Sequence, residues 1–120
     1  MNTEDVAGRC LSLAGAAEEY PFGPQPAVYK VGGKIFALLA EEQEPPRVSL
    51  KLPPDEVQAL RAQYEGTVLP GYHLNKRHWV TVLLDGVLED EELEALIEQS
   101  YDLVVASLPK RLRPQPLPTD

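Results

Sequence analysis

The sequence predicts an α+β protein, a two-layer sandwich in which an antiparallel sheet carries its helices on one face in the order α-β(3)-α-β(2)-α. Three observations lead there. Ala27 to Leu39 reads as a β-hairpin, because Gly32-Gly33 supplies the positive φ angles of a two-residue turn between runs of β-branched and aromatic residues. Arg47 to Leu52 alternates Val48, Leu50 and Leu52 against Arg47, Ser49 and Lys51, as a strand with one buried and one polar face does. Segments of helical period stand at both ends of the chain and once in the middle, so the sheet has one covered face.

The first helix is expected from about Glu4 to about Ala17, capped by Thr3 or Asn2, with Val6, Cys10, Leu13, Ala14 and Ala17 on one face. Cys10 then points inward as an inert thiol. Glu18 to Pro26, EEYPFGPQP, is read as a loop pinned to the body by Tyr20 and Phe22, since its prolines and glycine forbid a helix. In the hairpin register Tyr29 falls opposite Phe36 and Lys30 opposite Ile35. Glu41 to Pro46 connects to the third strand. Pro53-Pro54-Asp55-Glu56 opens a second helix with a Val57, Leu60, Tyr64 stripe, closed by Gly66. Short strands are expected at Thr67 to Leu69 and at Trp79 to Leu84, the latter stopped by Asp85-Gly86. The last helix runs from about Glu89 to Pro109, burying Leu93, Leu96, Ile97, Tyr101, Val104 and Leu108. Residues 1–109 thus form one domain, and the cationic, proline-rich Lys110 to Asp120 reads as a disordered tail.

Composition narrows the function. A lone cysteine, no charged-then-apolar leader and no apolar run near the roughly 18 residues of a membrane span predict a cytoplasmic protein without a membrane partner. The net charge of −8 opposes nucleic-acid binding until its distribution is seen. Residues 85–102 hold eight acids and no base, while the rest of the chain balances eleven acids with eleven bases. Between Gly66 and Leu84 there is no acid at all.

That acid-free segment contains PGYHLNKRHWVTV, Pro70 to Val82, with both histidines and the only tryptophan. Its Tyr72, His73, Asn75, Lys76, Arg77, His78 and Trp79 combine cationic contacts to phosphate, amide contacts to base edges and stacking planes. Trp79 also reads as a core aromatic. Catalytic patterns are missing: Ser12, Ser49, Ser100 and Ser107 lack a G-x-S-x-G context, and Gly32-Gly33 does not open a phosphate-binding helix. Two histidines five apart are too few for a metal site, and the Glu89 to Glu92 cluster is accounted for by helix solvation, so no cofactor or metal is expected.

CLSLAGAAEEYPFGP, VYKVGGKIFALL, RVSLKL, PGYHLNKRHW and SYDLVV together resemble the MmcQ/YjbR family of small bacterial proteins over roughly residues 10 to 108. Ala14 stands where the family often has proline, and Val80 where it often has a polar residue, often asparagine. The resemblance implies a fold like secretion chaperones and, more loosely, frataxin-like proteins, and DNA as the partner through a double-wing arrangement. The expected binding residues are the Tyr72 to Trp79 loop with Lys30, Lys34 and Lys51. Two other readings are a protein-interaction module of the chaperone kind, which would expose an apolar patch and dimerise, and a frataxin-like small-ligand or metal binder.

Overall fold

The structure, a computed structural model, describes residues 1–114. Three helices, α1 (Thr3–Ser12), α2 (Pro54–Gln63) and α3 (Asp90–Ser107), pack with six strands. The strands are β1 (Ala17–Glu19), β2 (Ala27–Val31), β3 (Lys34–Ala40), β4 (Arg47–Lys51), β5 (Val68–Pro70) and β6 (Trp79–Leu83). They form one sheet of order β1-β2-β3-β4-β6-β5 in which each neighbouring pair is antiparallel, so the hairpin and the Trp79 strand share a sheet as expected.

Alternation along the strands sends Val48, Leu50, Val80 and Val82 into the core beneath the helices. All six apolar residues assigned to the last helix are buried there, with Leu108 just past the helix end. Phe36 meets Tyr101 of α3 edge to face, centroids 5.4 Å apart. Ser100, also buried, donates its hydroxyl to the Phe36 carbonyl at 2.6 Å and accepts the Lys51 amide at 2.9 Å.

Four details depart from the expectation. Helix α1 ends at Ser12 instead of Ala17, because Leu13 turns extended and Gly15 takes φ +74°, which releases Ala17–Glu19 to pair with β2 as an edge strand inside the expected loop. The hairpin keeps Lys30 opposite Ile35, but a bulge sets Tyr29 opposite Ala37. The extra residue lets Phe36 and Ala37 both be buried. Tyr20 and Phe22 do not pin their loop; they are 47% and 67% exposed. In the expected tail, Lys110–Leu112 form a 3-10 turn, and Arg113 caps the end of α3 through the Leu108 and Ala106 carbonyls at 3.0 and 3.1 Å. The remainder of that tail lies outside the described residues.

Candidate functional site

The topology gives the sheet two unlike ends. At one end lie the β2–β3 turn, the close of β4, the β5–β6 loop, the start of β6 and the 3-10 turn after α3. These segments carry Lys30, Lys34, Lys51, Lys76, Arg77, Lys110, Arg111 and Arg113, eight of the eleven Lys and Arg residues. The other end holds Glu41, Glu42, Glu44, Asp85 and the acidic first turn of α3. Of the acids near the basic end, Glu19 pairs with Lys30, and Asp55 and Glu56 belong to the helix layer in the first turn of α2.

The basic cations differ in how they are engaged. Lys30 is 3.5 Å from Glu19 and Lys34 donates to the Ser107 hydroxyl at 3.4 Å. Lys51, Lys76 and Arg77 form no ion pair among the described residues. Lys51 is the register partner of Trp79. Alternation turns both side chains to the sheet face away from the helices, with Cβ atoms about 5 Å apart. Trp79 is half-buried on that open face, so it is not the core aromatic the sequence also allowed.

The loop between β5 and β6 is held by its backbone. Gly71 donates to the Trp79 carbonyl at 3.1 Å, Leu74 closes a turn on Gly71 at 3.3 Å, and the Asn75 carbonyl accepts from His78 and Trp79 at 3.1 and 3.0 Å. The Asn75 Oδ1 atom accepts the Arg77 amide at 2.9 Å, so Asn75 supports the loop's shape. His78 ties the loop to β4 by accepting the Leu52 amide at 2.9 Å. With Lys51, Leu52, Pro53, Pro54, Leu103 and Ser107 it lines a shallow groove of about 350 Å³.

Two supports were not singled out in the sequence. Thr81 lies beneath the loop with its Oγ1 accepting the Tyr72 amide at 3.2 Å and sharing a 2.8 Å hydrogen bond with Ser49, both hydroxyls being buried on the open face. Gly71 is pressed against β6, where a Cβ would stand 2.7 Å from that of Trp79. The signal for the first was present as two hydroxyl residues on facing strands; pairing them needs the register.

This construction projects an aromatic pair. Tyr72 is 73% exposed and its ring centroid lies 4.0 Å from that of His73, which sits at φ +57°, the left-handed region that favours glycine. The loop thus offers Tyr72, His73, Lys76 and Arg77 to solvent together, with Trp79 and Lys51 on the adjoining sheet face. Among the described residues no three of His, Cys, Asp and Glu converge as metal ligands, and no helix is long and apolar enough to cross a membrane.

Fold and surface together define a small α+β domain with an open antiparallel sheet and an aromatic, basic loop at one end. The chain belongs to the YjbR family, whose model matches residues 11–103. It is 35% identical over 113 residues to the uncharacterized protein YjbR of Escherichia coli K12, covering 94% of this chain and 95% of that one. The uncharacterized protein YbdF of Escherichia coli O157:H7 is 41% identical over 92 residues, 77% of this chain and 75% of the relative. A crystal structure of a Deinococcus radiodurans protein with the domain DUF419 superposes with a TM-score of 0.87 at 38% identity, over 93% of this chain and 85% of that one. A crystal structure from Pseudomonas syringae gives 0.74 at 31% identity, over 86% and 98%.

Proposed function

We propose that this protein binds nucleic acid at the basic end of its sheet, with Lys76, Arg77 and Lys51 contacting phosphates and the Tyr72 to Trp79 loop meeting bases. The observation that supports the reading is the segregation of charge: a chain of net charge −8 gathers eight of its eleven Lys and Arg residues at one end, seven of them, Lys51, Lys76 and Arg77 included, without an ion pair among the described residues, near exposed aromatic rings. Phosphate binding draws its free energy from such clusters by releasing condensed counterions. Lys30 and Lys34, already engaged, contribute field more than contact.

The chaperone-like reading calls for a contiguous apolar surface. The exposed large apolar side chains from which such a surface would have to be built are Leu11, Tyr20, Phe22, Tyr72, Val87 and Leu112.

The test is a titration of the protein with nucleic acid at two salt concentrations, followed by Trp79 fluorescence. Lys76→Ala and Arg77→Ala each weaken binding, and each lowers the slope of log affinity against log salt by about one, because one phosphate contact is lost. Both variants keep the wild-type circular dichroism, since the two side chains are exposed. Salt-insensitive binding, or none, removes the proposal.

A further inference from the structure

From the β5–β6 loop we infer that the nucleic acid this site takes is single-stranded, with an unpaired base stacking on the exposed Tyr72–His73 ring pair and the phosphates on either side lying against Lys76 and Arg77. The inference rests on the nucleic-acid reading and adds to it the strand state and the element that selects it.

Three independent observations converge on the ring pair. Tyr72 presents 73% of its surface to solvent, and its hydroxyl has no hydrogen-bond partner among the described residues, so neither packing nor polarity accounts for an aromatic residue there. His73 is the one non-glycine residue with positive φ among those described. Glycine would hold the same turn at less cost, and an imidazole kept in a disfavoured backbone region beside a tyrosine ring is the kind of outlier that marks a functional position. The pair is also held firmly from behind: the Tyr72 amide is fixed to Thr81, Thr81 to Ser49, and Gly71 is wedged against Trp79. A loop backbone so braced loses little conformational entropy when a base stacks on its rings.

The geometry favours a single strand over a duplex. In a duplex the base faces are covered by their neighbours, and a protein reaches only edges and phosphates. Here the exposed groups are two aromatic rings and two cations on one loop, the combination with which proteins hold unstacked bases and their backbone. The half-buried Trp79 and its neighbour Lys51 repeat the same pairing of ring and cation on the adjoining open face.

The experiment is a fluorescence anisotropy titration of a labelled oligothymidine strand and of a labelled mixed-sequence duplex with the same number of phosphates, at two salt concentrations. Wild type, Tyr72→Ala, Tyr72→Phe and His73→Gly are compared. The wild type is expected to prefer the single strand about tenfold or more. Tyr72→Ala weakens single-strand binding roughly tenfold, the worth of one base stack, without changing the salt slope, and it weakens duplex binding by less. Tyr72→Phe restores the affinity, because stacking needs the ring and not the hydroxyl. His73→Gly raises the melting temperature while weakening single-strand binding. Equal or tighter binding of the duplex, or a Tyr72→Ala loss equal on both, overturns the single-strand inference while leaving nucleic-acid binding in place. Wild type that binds neither probe in a salt-sensitive way overturns both.

Discussion

Ser100 shows how one side chain holds two layers together. Its hydroxyl sits fully buried between α3 and the sheet, donating to the Phe36 carbonyl at the bulge and accepting from the Lys51 amide where β4 ends. Phe36 stands at the bulge of β3 and Lys51 at the end of β4, and without the hydroxyl both backbone groups lose this partner. Ser100→Ala is therefore expected to destabilise by about 3 kcal/mol, more than one hydrogen bond's worth, because two backbone groups lose their buried partner at once. Denaturant unfolding of the variant measures it. Since Lys51 is the last residue of β4 and its amide is the one Ser100 holds, the same change should also loosen Lys51 at the candidate interface.

Among the elements, the β5–β6 loop is organised by contact with β6 more than by its own sequence. Gly71 shows why: its φ is not positive, so the requirement for glycine is space, and a methyl group would meet the Trp79 Cβ at 2.7 Å and the Trp79 carbonyl at 3.1 Å. Neither neighbour is the tip of a flexible side chain. Gly71→Ala should cost about 1 to 3 kcal/mol by overpacking and should push the loop off the strand, which Trp79 fluorescence and a thermal melt would record. The strand β5 beside it is protected in another way. Val68 donates to Tyr64, and Pro70 has no amide, so the outer edge presents no donor there for strand addition.

At the scale of the whole molecule, alkaline pH is the condition that opposes the fold. Burial pushes the Cys10 thiol from 9.0 up to about 12, the nearby Arg9 opposing it only in part. Burial and then the hydrogen bond to Glu18 raise the Tyr29 phenol; Tyr64 is raised first by its hydrogen bond to Glu92, and Tyr101 first by burial. A raised acidic group keeps its full stabilising effect below its unfolded value and loses it as pH rises toward the folded one. The protein should therefore lose stability from about pH 9 upward, with Cys10 accounting for at most about 4 kcal/mol by pH 12. Melting temperatures across that range for wild type and Cys10→Ala test this: the variant should start lower, for lost packing, and decline less steeply.

Helix α3, the Gly32-Gly33 turn, the alternating β4 and the burial of Cys10 were legible in the sequence because each rests on local periodicity or on a glycine's φ. So was the acid-free loop, since charge is counted along the chain. The tertiary structure alone decided what depends on pairing across the sheet. That Ala17–Glu19, released after α1, form a strand follows from β2 offering them a partner, and no propensity in LSLAGAA announces that partner. The bulge that buries both Phe36 and Ala37 arises from fitting β3 to α3 through Tyr101 and Ser100. The gathering of Lys34, Lys51, Lys76 and Arg77 at one end is a consequence of strand direction: antiparallel order returns the chain to the same end at Lys34, Lys51 and Trp79, and only the folded sheet makes these separate positions neighbours.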